Sequence, residues 1–266
     1  MEKKKVTAPG LAQLKAAGEK ISVLTAYDYP MGKILDQAGI DVVLVGDSLG
    51  WVVLGYDSGL KVTMEDMIRH SAAVSRGVSR ALQVCDMPFL SYQVSEEDAV
   101  RNAGRLVSEG NAEAVKLEGG EHMASTIGRI INAGIPVVGH LGLTPQYVHQ
   151  IGGLKKVGKD AEGAQKIKQD ALILQDVGVS AIVLEAIPEY LAKEVTESLA
   201  IPTIGIGSGP YCDGQVLVTH DMVGMFDKFK PSFVKQYADV WQVMLEAFTK
   251  YSSEVKDGTF PERKAK

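Results

Sequence analysis

The stretch DVVLVGDSLG, residues 41–50, ends a short apolar run with an aspartate and follows it with a glycine-containing turn. A short apolar run bounded by turn residues is typical of a strand that is buried on both faces. A carboxylate at the end of such a strand costs on the order of several kcal/mol unless it is paired or bound to a metal. Asp47 is therefore a candidate site residue.

The same placement recurs in three other apolar runs. ALQVCD ends in Asp86, AVKLEGG carries Lys116 and Glu118, and AIVLEAI carries Glu185. A single charge at the end of a buried strand could be an accident. Charges at the ends of four such strands indicate one ring of side chains around one site.

Apolar runs alternate with amphipathic segments of helical length, several of which begin with Thr, Ser or Asp as an N-cap and end with Gly. A repeated strand, helix, strand pattern predicts a parallel sheet. The helical segments include YPMGKILDQAG (29–39), TMEDMIRHSAAVSRGV (63–78), SEEDAVRNAGRLVSEG (95–110) and DAEGAQKIKQDALILQDVG (160–178). The predicted strands span 21–27, 41–47, 81–86, 113–118, 136–140, 180–185, 201–206 and 214–218.

Eight parallel strands in a chain of 266 residues predict a single (β/α)8 TIM-type barrel domain over residues 1–266. A short segment would precede the barrel, and the region after Asp227 would supply its final helix and a frayed basic end. Catalytic groups in such barrels come from the carboxyl ends of the strands. A doubly wound open sheet is the alternative, but no GxGxxG motif follows the first strand.

The composition restricts the partners and the compartment. A formal net charge of −5 and a pI near 5.6 argue against a nucleic-acid partner, which would require a concentrated basic surface. The two cysteines, Cys85 and Cys212, form neither a disulfide framework nor a CxxC metal pair. No apolar stretch approaches the roughly 20 residues that cross a bilayer. We therefore expect a cytoplasmic protein with no membrane partner.

Asp47 and Asp86 are candidate ligands for Mg2+, which takes one or two protein carboxylates and keeps several waters or substrate oxygens. The alternative is that each aspartate caps the turn or helix that follows it. Glu118 on the next strand favours the metal site. The sequence shows no cluster of His and Cys that would suggest zinc.

Three further residues are candidates for catalysis. Lys116 lies two residues before Glu118, hence on the same face of a strand, and could neutralise a substrate carboxylate or enolate, pair with a carboxylate, or form a Schiff base. Glu185 could act as a general base or form a buried pair with a lysine or histidine. His140, at the fifth strand end, could contact the substrate carboxylate, orient Glu185, or be a satisfied core residue.

The chain carries a series of ordered motifs: LTAYD (24–28), VGDSLG (45–50), VLGYDS (53–58), VTMEDMIRH (62–70), DMPF with SY (86–92), VKLEGG (115–120), GIPVVGHLGLTPQ (134–146), LEAIP (184–188) and IPTIGIGSG with DGQVLV (201–218). Together they cover nearly the whole chain and resemble the ketopantoate hydroxymethyltransferase family. The resemblance implies a (β/α)8 barrel that transfers a hydroxymethyl group from 5,10-methylenetetrahydrofolate to 3-methyl-2-oxobutanoate, giving 2-dehydropantoate for pantothenate and coenzyme A synthesis. It also implies Mg2+ and a large homo-oligomer, a decamer.

The resemblance assigns roles to individual residues. Asp47 and Asp86 match the Mg2+ ligands, which also face the oxoacid, and Glu118 matches a third metal-associated carboxylate. Ser48 and Lys116 match contacts to the oxoacid, and Glu185 matches the proposed base. The chain departs from the family pattern at Trp51, at KKVGK (155–159) and at Ala186, where the family commonly has Met, a run like KVQGK, and Cys.

Two other functions are compatible with the sequence. One is a Mg2+ enolate-forming enzyme of the phosphoenolpyruvate mutase and isocitrate lyase type, which would need a cysteine in an active loop. Neither Cys85 nor Cys212 lies in such a motif. The other is a noncatalytic metabolite-binding barrel, which would exchange no hydrogen at C3 of the oxoacid.

Overall fold

A computed structural model of the chain describes residues 4–228 and 231–262. It contains eight strands, and each of the eight predicted strands is confirmed to within two residues at either end. The strands are β1 (Ile21–Thr25), β2 (Val42–Val45), β3 (Leu82–Asp86), β4 (Ala114–Glu118), β5 (Val137–Gly142), β6 (Ala181–Glu185), β7 (Thr203–Ile206) and β8 (Gly214–Leu217).

The strands form a closed parallel barrel in chain order from β1 to β8. Closure is made by β1, which pairs with both of its neighbours: Val23 is in register with Val42 of β2 and with Val216 of β8. An open sheet would leave β1 and β8 as edges. The predicted TIM-type barrel is therefore confirmed, and the doubly wound sheet is excluded.

Helices follow the strands as the sequence predicts. Thr63, Ser95 and Asp160 cap helices through their side chains, and Gly39 and Gly178 end helices in the left-handed conformation. The helices up to β8 are α1 (Ala8–Ala16), α2 (Tyr29–Ala38), α3 (Leu49–Val52), α4 (Met64–Ser75), α5 (Glu96–Ser108), α6 (Ala124–Asn132), α7 (Val148–Ile151), α8 (Ala161–Val177) and α9 (Glu189–Ser198), with 3-10 turns at Gly59–Lys61, Glu121–Met123 and Pro145–Tyr147.

Strand alternation divides the barrel interior into an apolar lower part and a charged mouth. Side chains of a strand alternate between its two faces, so a residue two positions after an inward apolar residue also points inward. Ala8 and Leu11 of α1 belong to the same buried cluster as the inward apolar side chains of the strands, so α1 fills the amino-terminal end. Two residues beyond that cluster lie ionisable side chains: Asp86 after Val84, Lys116 after Ala114, His140 after Val138, and Glu185 after Val183.

The described chain divides into two compact units between Leu217 and Val218. The second unit contains α10 (Thr219–Met222) and α11 (Val240–Asp257), so the helix predicted in this region is confirmed and begins at Val240. The last residues of the predicted basic end, 263–266, lie outside the described residues, and the single-domain assignment stays a prediction. Within the described ranges, every helix is too short or too polar to cross a membrane.

Candidate active site

A buried ion pair lies at the centre of the charged mouth. Lys116 Nζ lies 3.1 Å from Asp86 Oδ1, and both side chains are almost fully enclosed. The pair joins two adjacent strands, since Asp86 of β3 is in register with Lys116 of β4. The inward face that the sequence predicts for Lys116 is therefore the face it occupies.

The Asp47 and Asp86 carboxylates do not cap their own turns. Asp86 Oδ2 accepts the backbone N–H of Asp47 at 3.1 Å, and Asp47 Oδ2 accepts the side-chain amide of Gln146 at 2.9 Å. A Cβ at Gly46 would lie 2.8 Å from Ser48 Oγ, so glycine leaves room for that hydroxyl beside the carboxylates. Both carboxylates are thus held by residues distant in sequence, and the capping alternative does not describe them.

Electrostatics at the pair keep the lysine charged. Burial raises the pKa of Asp86 to about 6, and the neighbouring Asp47 adds to the rise, although Lys116 opposes it. Burial acts to lower the pKa of Lys116, but the carboxylates of Asp86, Asp47 and Glu118 outweigh burial and raise it above its usual value. A Schiff-base lysine must lose its proton to act as a nucleophile. The surroundings of Lys116 therefore favour an electrostatic role.

His140 connects Lys116 to Glu185. Lys116 Nζ lies 3.3 Å from His140 Nδ1, and His140 Nε2 lies 3.0 Å from Glu185 Oε2. Burial, with Lys116 beside it, lowers the pKa of His140, so the ring is neutral at neutral pH. Because an ammonium group only donates, Nδ1 accepts from Lys116 and Nε2 carries the ring proton. The 3.0 Å approach of Nε2 to Glu185 Oε2 is a close polar contact that does not reach hydrogen-bond geometry. The contact with Glu185 is compatible with an orienting role, and the role of His140 stays a prediction.

Glu118 lies on the other side of His140, in a more enclosed position. Its Oε1 lies 3.7 Å from His140 Nδ1, and its Oε2 accepts the backbone N–H of Gln146 at 3.0 Å. Burial, together with the charge of Asp47, raises the pKa of Glu118 well above its ordinary value. Glu118 is thus part of the same charged cluster, and its role as a third metal ligand stays a prediction.

The donor set suits a hard divalent cation held by two carboxylates. Asp86 Oδ1 accepts no hydrogen bond within the described residues, although Lys116 lies close enough for an ion pair. Asp47 and Asp86 provide oxygen donors from adjacent strand ends, the number of protein carboxylates that Mg2+ commonly uses. Among the residues that the structure describes, no three His, Cys, Asp or Glu side chains form a metal-binding group. The residues therefore fit Mg2+ with water and substrate oxygens completing its shell.

Two of the three departures from the pattern of the resembled family are in contact with each other. Ala186, directly after Glu185, has a φ of +48°, an unfavourable value for a residue with a Cβ. Its carbonyl oxygen accepts the N–H of Val157 in the altered 155–159 loop at 3.2 Å. Trp51 packs over Gly59, where a Cβ would lie 2.8 Å from the ring. None of these three positions replaces a charged group of the cluster.

The structure brings the predicted site residues together in one linked group. Asp47, Asp86, Lys116, His140 and Glu185 follow one another through the contacts described above, and Glu118 joins through His140. Ser48 lies next to Asp47, with its Oγ 2.8 Å from the hydroxyl of buried Tyr27. Its contact with the oxoacid stays a prediction.

Sequence reasoning assigned no role to Gln146 and Tyr92, which support the carboxylates. Tyr92 donates its hydroxyl proton to Gln146 Oε1 at 2.7 Å and accepts the backbone N–H of Glu118 at 3.2 Å. Both residues are uncharged, so a search for charges at strand ends does not select them. The available signal is Pro145 at the start of a 3-10 turn, which leaves the N–H of Gln146 free for a partner.

Solved structures with the same architecture include enzymes with small acidic substrates in their names. Phosphonopyruvate hydrolase in complex with oxalate and Mg2+ matches with a TM-score of 0.64 at 12% identity, covering 97% of this chain and 90% of that one. A 2,3-dimethylmalate lyase of the PEP mutase/isocitrate lyase superfamily matches with a TM-score of 0.60 at 15% identity, covering 98% and 91%. At identities this low, the structural similarity establishes only the class of fold, which is a TIM-type barrel.

The sequence relationship is much closer and defines the family. The model of the ketopantoate hydroxymethyltransferase family matches residues 5–263. The 3-methyl-2-oxobutanoate hydroxymethyltransferase of Thermoanaerobacter sp. (strain X514) is 58% identical over 258 residues, covering 97% of this chain and 94% of the relative. The enzyme of that name from Acetivibrio thermocellus is 57% identical over 260 residues, covering 98% and 92%. The chain belongs to the ketopantoate hydroxymethyltransferase family, and it is an enzyme of the transferase class.

Proposed function

We propose that this protein transfers a hydroxymethyl group from 5,10-methylenetetrahydrofolate to 3-methyl-2-oxobutanoate and forms 2-dehydropantoate in the cytoplasm, as a step of pantothenate synthesis. Family membership supports the reaction, since the relatives are named for it. The observation that carries the chemistry is the Glu185 carboxylate at the barrel mouth, 3.0 Å from the Nε2 of a neutral histidine. That pair supplies an oriented base beside a cationic lysine.

Glu185 would accept the proton from C3 of the oxoacid. Its side chain is 20% exposed, whereas that of His140 is 4% exposed, so the carboxylate is open to a substrate and its partner is not. His140 Nε2 lies 3.0 Å from Glu185 Oε2, so the buried ring limits the positions open to the carboxylate. General-base catalysis of this kind contributes about 10²–10⁴-fold to a rate.

Lys116 would stabilise negative charge on the oxoacid. The ammonium group is held between Asp86 and His140, so its charge is already oriented before the reaction. A preorganised charge in a dry site stabilises a developing oxyanion more than a solvated charge does. We assign it to the carboxylate or enolate oxygen of the substrate.

Asp47 and Asp86 would hold Mg2+, with Glu118 as an associated carboxylate and Ser48 at the oxoacid. When bound, Mg2+ would polarise the 2-oxo group and make the C3 proton more acidic. The protein's own contribution is to fix the two aspartates, through the Asp47 N–H, Lys116 and Gln146.

The remaining bonds change on the folate. The electron pair that C3 gains on losing its proton forms the new bond to the one-carbon unit, while the bonds of that carbon to folate nitrogens break. Water supplies the oxygen of the new hydroxyl group, and tetrahydrofolate leaves with both nitrogens protonated. The enzyme thus needs no oxidant or reductant.

We further propose that the chain assembles as a large homo-oligomer, a decamer, as the family resemblance implies. A chain of 28.5 kDa would then sediment with about ten times that mass. Analytical ultracentrifugation measures this directly, and a monomer or dimer at micromolar concentration would contradict the proposal.

The test of the function is product formation from the two substrates. Purified protein is incubated with 3-methyl-2-oxobutanoate and 5,10-methylenetetrahydrofolate, with Mg2+ or with EDTA, and 2-dehydropantoate is measured by mass spectrometry. We expect product only with Mg2+ and both substrates, and its loss in Asp86→Asn. Cleavage of a 2-oxoacid without folate would instead indicate a lyase-type enzyme, and equal turnover in EDTA would contradict the metal's role.

A further inference from the structure

The side chain of Gln146 forms hydrogen bonds with the charged cluster, and none of the roles predicted for the site residues accounts for them. Its side-chain Nε2 donates to Asp47 Oδ2 and to the backbone oxygen of Met87, both at 2.9 Å. Its Oε1 accepts from the Tyr92 hydroxyl at 2.7 Å and from Gln93 Nε2 at 3.2 Å. All four hydrogen-bonding positions of one buried amide are therefore in use.

We propose that Gln146 is a positioning residue that fixes Asp47, and through its backbone Glu118, for a divalent cation. The inference rests on the proposed function, because that function places the cation at Asp47 and Asp86. It adds a residue that does not itself bind the cation or the substrate. Gln146 would act by restricting the carboxylates that do.

The orientation of the amide follows from its partners. The backbone oxygen of Met87 accepts hydrogen bonds only, and the carboxylate of Asp47 accepts in its ionised form. A flipped amide would therefore place its oxygen against two acceptors and its NH2 group against the Tyr92 hydroxyl. The Tyr92 hydroxyl already accepts the N–H of Glu118, so its proton is free to go to Gln146 Oε1. The amide thus presents its donor to Asp47 in a single orientation.

The backbone of Gln146 holds the second carboxylate. Pro145 starts the 3-10 turn, and the N–H of Gln146 has no partner within that turn. It donates to Glu118 Oε2 at 3.0 Å. Gln146, in the turn that follows β5, therefore connects the Asp47 carboxylate after β2 to the Glu118 carboxylate at the end of β4, across the mouth of the barrel.

Restriction matters most for Asp47, because it is only half-buried while Asp86 and Glu118 are enclosed. A partly exposed carboxylate without a donor rotates and is solvated, so a bound cation would have to order it. Residues that hold a metal ligand through a hydrogen bond typically contribute 10- to 100-fold to metal affinity or activity. We expect an effect of that size from the side chain of Gln146.

The experiment measures Mg2+ binding by isothermal titration calorimetry to protein stripped with EDTA, with no substrate present. The variants are Gln146→Leu, Tyr92→Phe, Asp47→Asn and the control Gln83→Leu. Gln83 is also a buried glutamine of the barrel, and its amide donates to the backbone oxygen and hydroxyl of Ser71, away from the charged cluster. The control therefore loses two donated hydrogen bonds, as many as the Gln146 amide donates, without touching the cluster. Melting temperatures and kcat and KM for the oxoacid are measured in parallel.

We expect Gln146→Leu to weaken Mg2+ binding by about 10- to 100-fold. Tyr92→Phe should weaken binding less and in the same direction, because Oε1 keeps the Gln93 donor. Gln83→Leu should lower the melting temperature and leave the Mg2+ affinity as in wild type. A merely structural role for Gln146 would lower stability alone.

Two results would overturn the inference: wild-type Mg2+ affinity in folded Gln146→Leu, or an equal loss of affinity in Gln83→Leu. If Gln146→Leu does not fold, Tyr92→Phe decides, and wild-type affinity there rejects the inference. Asp47→Asn separates this failure from that of the proposed function. If Asp47→Asn binds Mg2+ as wild type does, the proposed metal site is wrong. If it loses binding while Gln146→Leu does not, only the role of Gln146 is wrong.

Discussion

Replacing Lys116 with methionine removes one partner of the buried ion pair and leaves the other enclosed. At 3.1 Å and an effective dielectric constant of about 20, the attraction between Lys116 Nζ and Asp86 Oδ1 is about 5 kcal/mol. Breaking a buried pair from one side typically costs about 3–5 kcal/mol. With a urea m-value of about 3 kcal/mol/M, the unfolding midpoint of Lys116→Met should fall by about 1–2 M near pH 8.

The loss should shrink in acid. In wild type the folded-state pKa of Asp86 is about 6, above the value near 4 in the unfolded chain, and removing the ammonium raises it further. The folded state then binds more protons than the unfolded state, so stability falls as pH rises through this range, and in the variant it continues to fall above pH 6. At pH 5 Asp86 is largely protonated in both proteins, and the difference between them should be small.

Urea titrations of both proteins at pH 5 and pH 8, followed by circular dichroism, measure this difference. Lys61→Met is the matched control, because Lys61 pairs with Asp57 at 2.7 Å where the two side chains are 57% and 81% exposed. An exposed pair contributes about 0–1 kcal/mol, so the control midpoint should hardly move. A loss in Lys116→Met that is the same at both pH values, or no larger than that of the control, would refute the reasoning.

Three further changes have expected outcomes. Glu185→Gln should lower kcat by about 10²–10⁴-fold, because an amide cannot take the proton. The Mg2+ affinity and the KM for the oxoacid should stay unchanged. A comparable loss of substrate and Mg2+ binding would instead make Glu185 a structural residue. Gly142→Ala should lower the melting temperature and kcat, because Gly142 has a φ of +94° and a Cβ there would overlap the Glu185 carbonyl oxygen; a wild-type melting curve would count against this. Burial raises the pKa of half-buried Asp221 to about 6. Asp221→Asn should therefore stabilise the protein by about 1 kcal/mol at pH 7.5, where the aspartate is charged, and not at pH 4. Equal melting temperatures of the variant and wild type at pH 7.5 would contradict this prediction.

The barrel could be predicted from the sequence because each strand is a short apolar run between turn residues. The same alternation that buries Val84, Val138 and Val183 places Asp86, His140 and Glu185 inward two residues later. Strand period and the cost of burying a charge were therefore sufficient to find most of the candidate site.

Features that depend on distant partners could not be predicted in this way. Gln146 forms a hydrogen bond with Asp47, which lies 99 positions away in the chain, and no local sequence pattern predicts that the two residues meet. The positive φ of Ala186 has no local sequence signal, since alanine rarely adopts it. It accompanies hydrogen bonds from the Ala186 N–H to Ile206 and from the Val157 N–H to Ala186.

The amino-terminal helix was missed for a related reason. Residues 8–16 contain few large apolar side chains, and the sequence indicated only a short segment before the barrel. Ala8 and Leu11 are nevertheless buried, because the amino-terminal end of the barrel supplies the apolar surface that they cover. The pattern within the segment does not reveal that surface.

The central claim is that this site removes the C3 proton of a 2-oxoacid with the help of Mg2+, and isotope exchange tests it most directly. Proton NMR follows the C3 signal of 3-methyl-2-oxobutanoate in D2O with the protein, with and without Mg2+, first without folate and then with tetrahydrofolate to allow for a site that closes on it. We predict Mg2+-dependent loss of the signal, abolished in Glu185→Gln. Retention of the signal under all of these conditions would contradict the account.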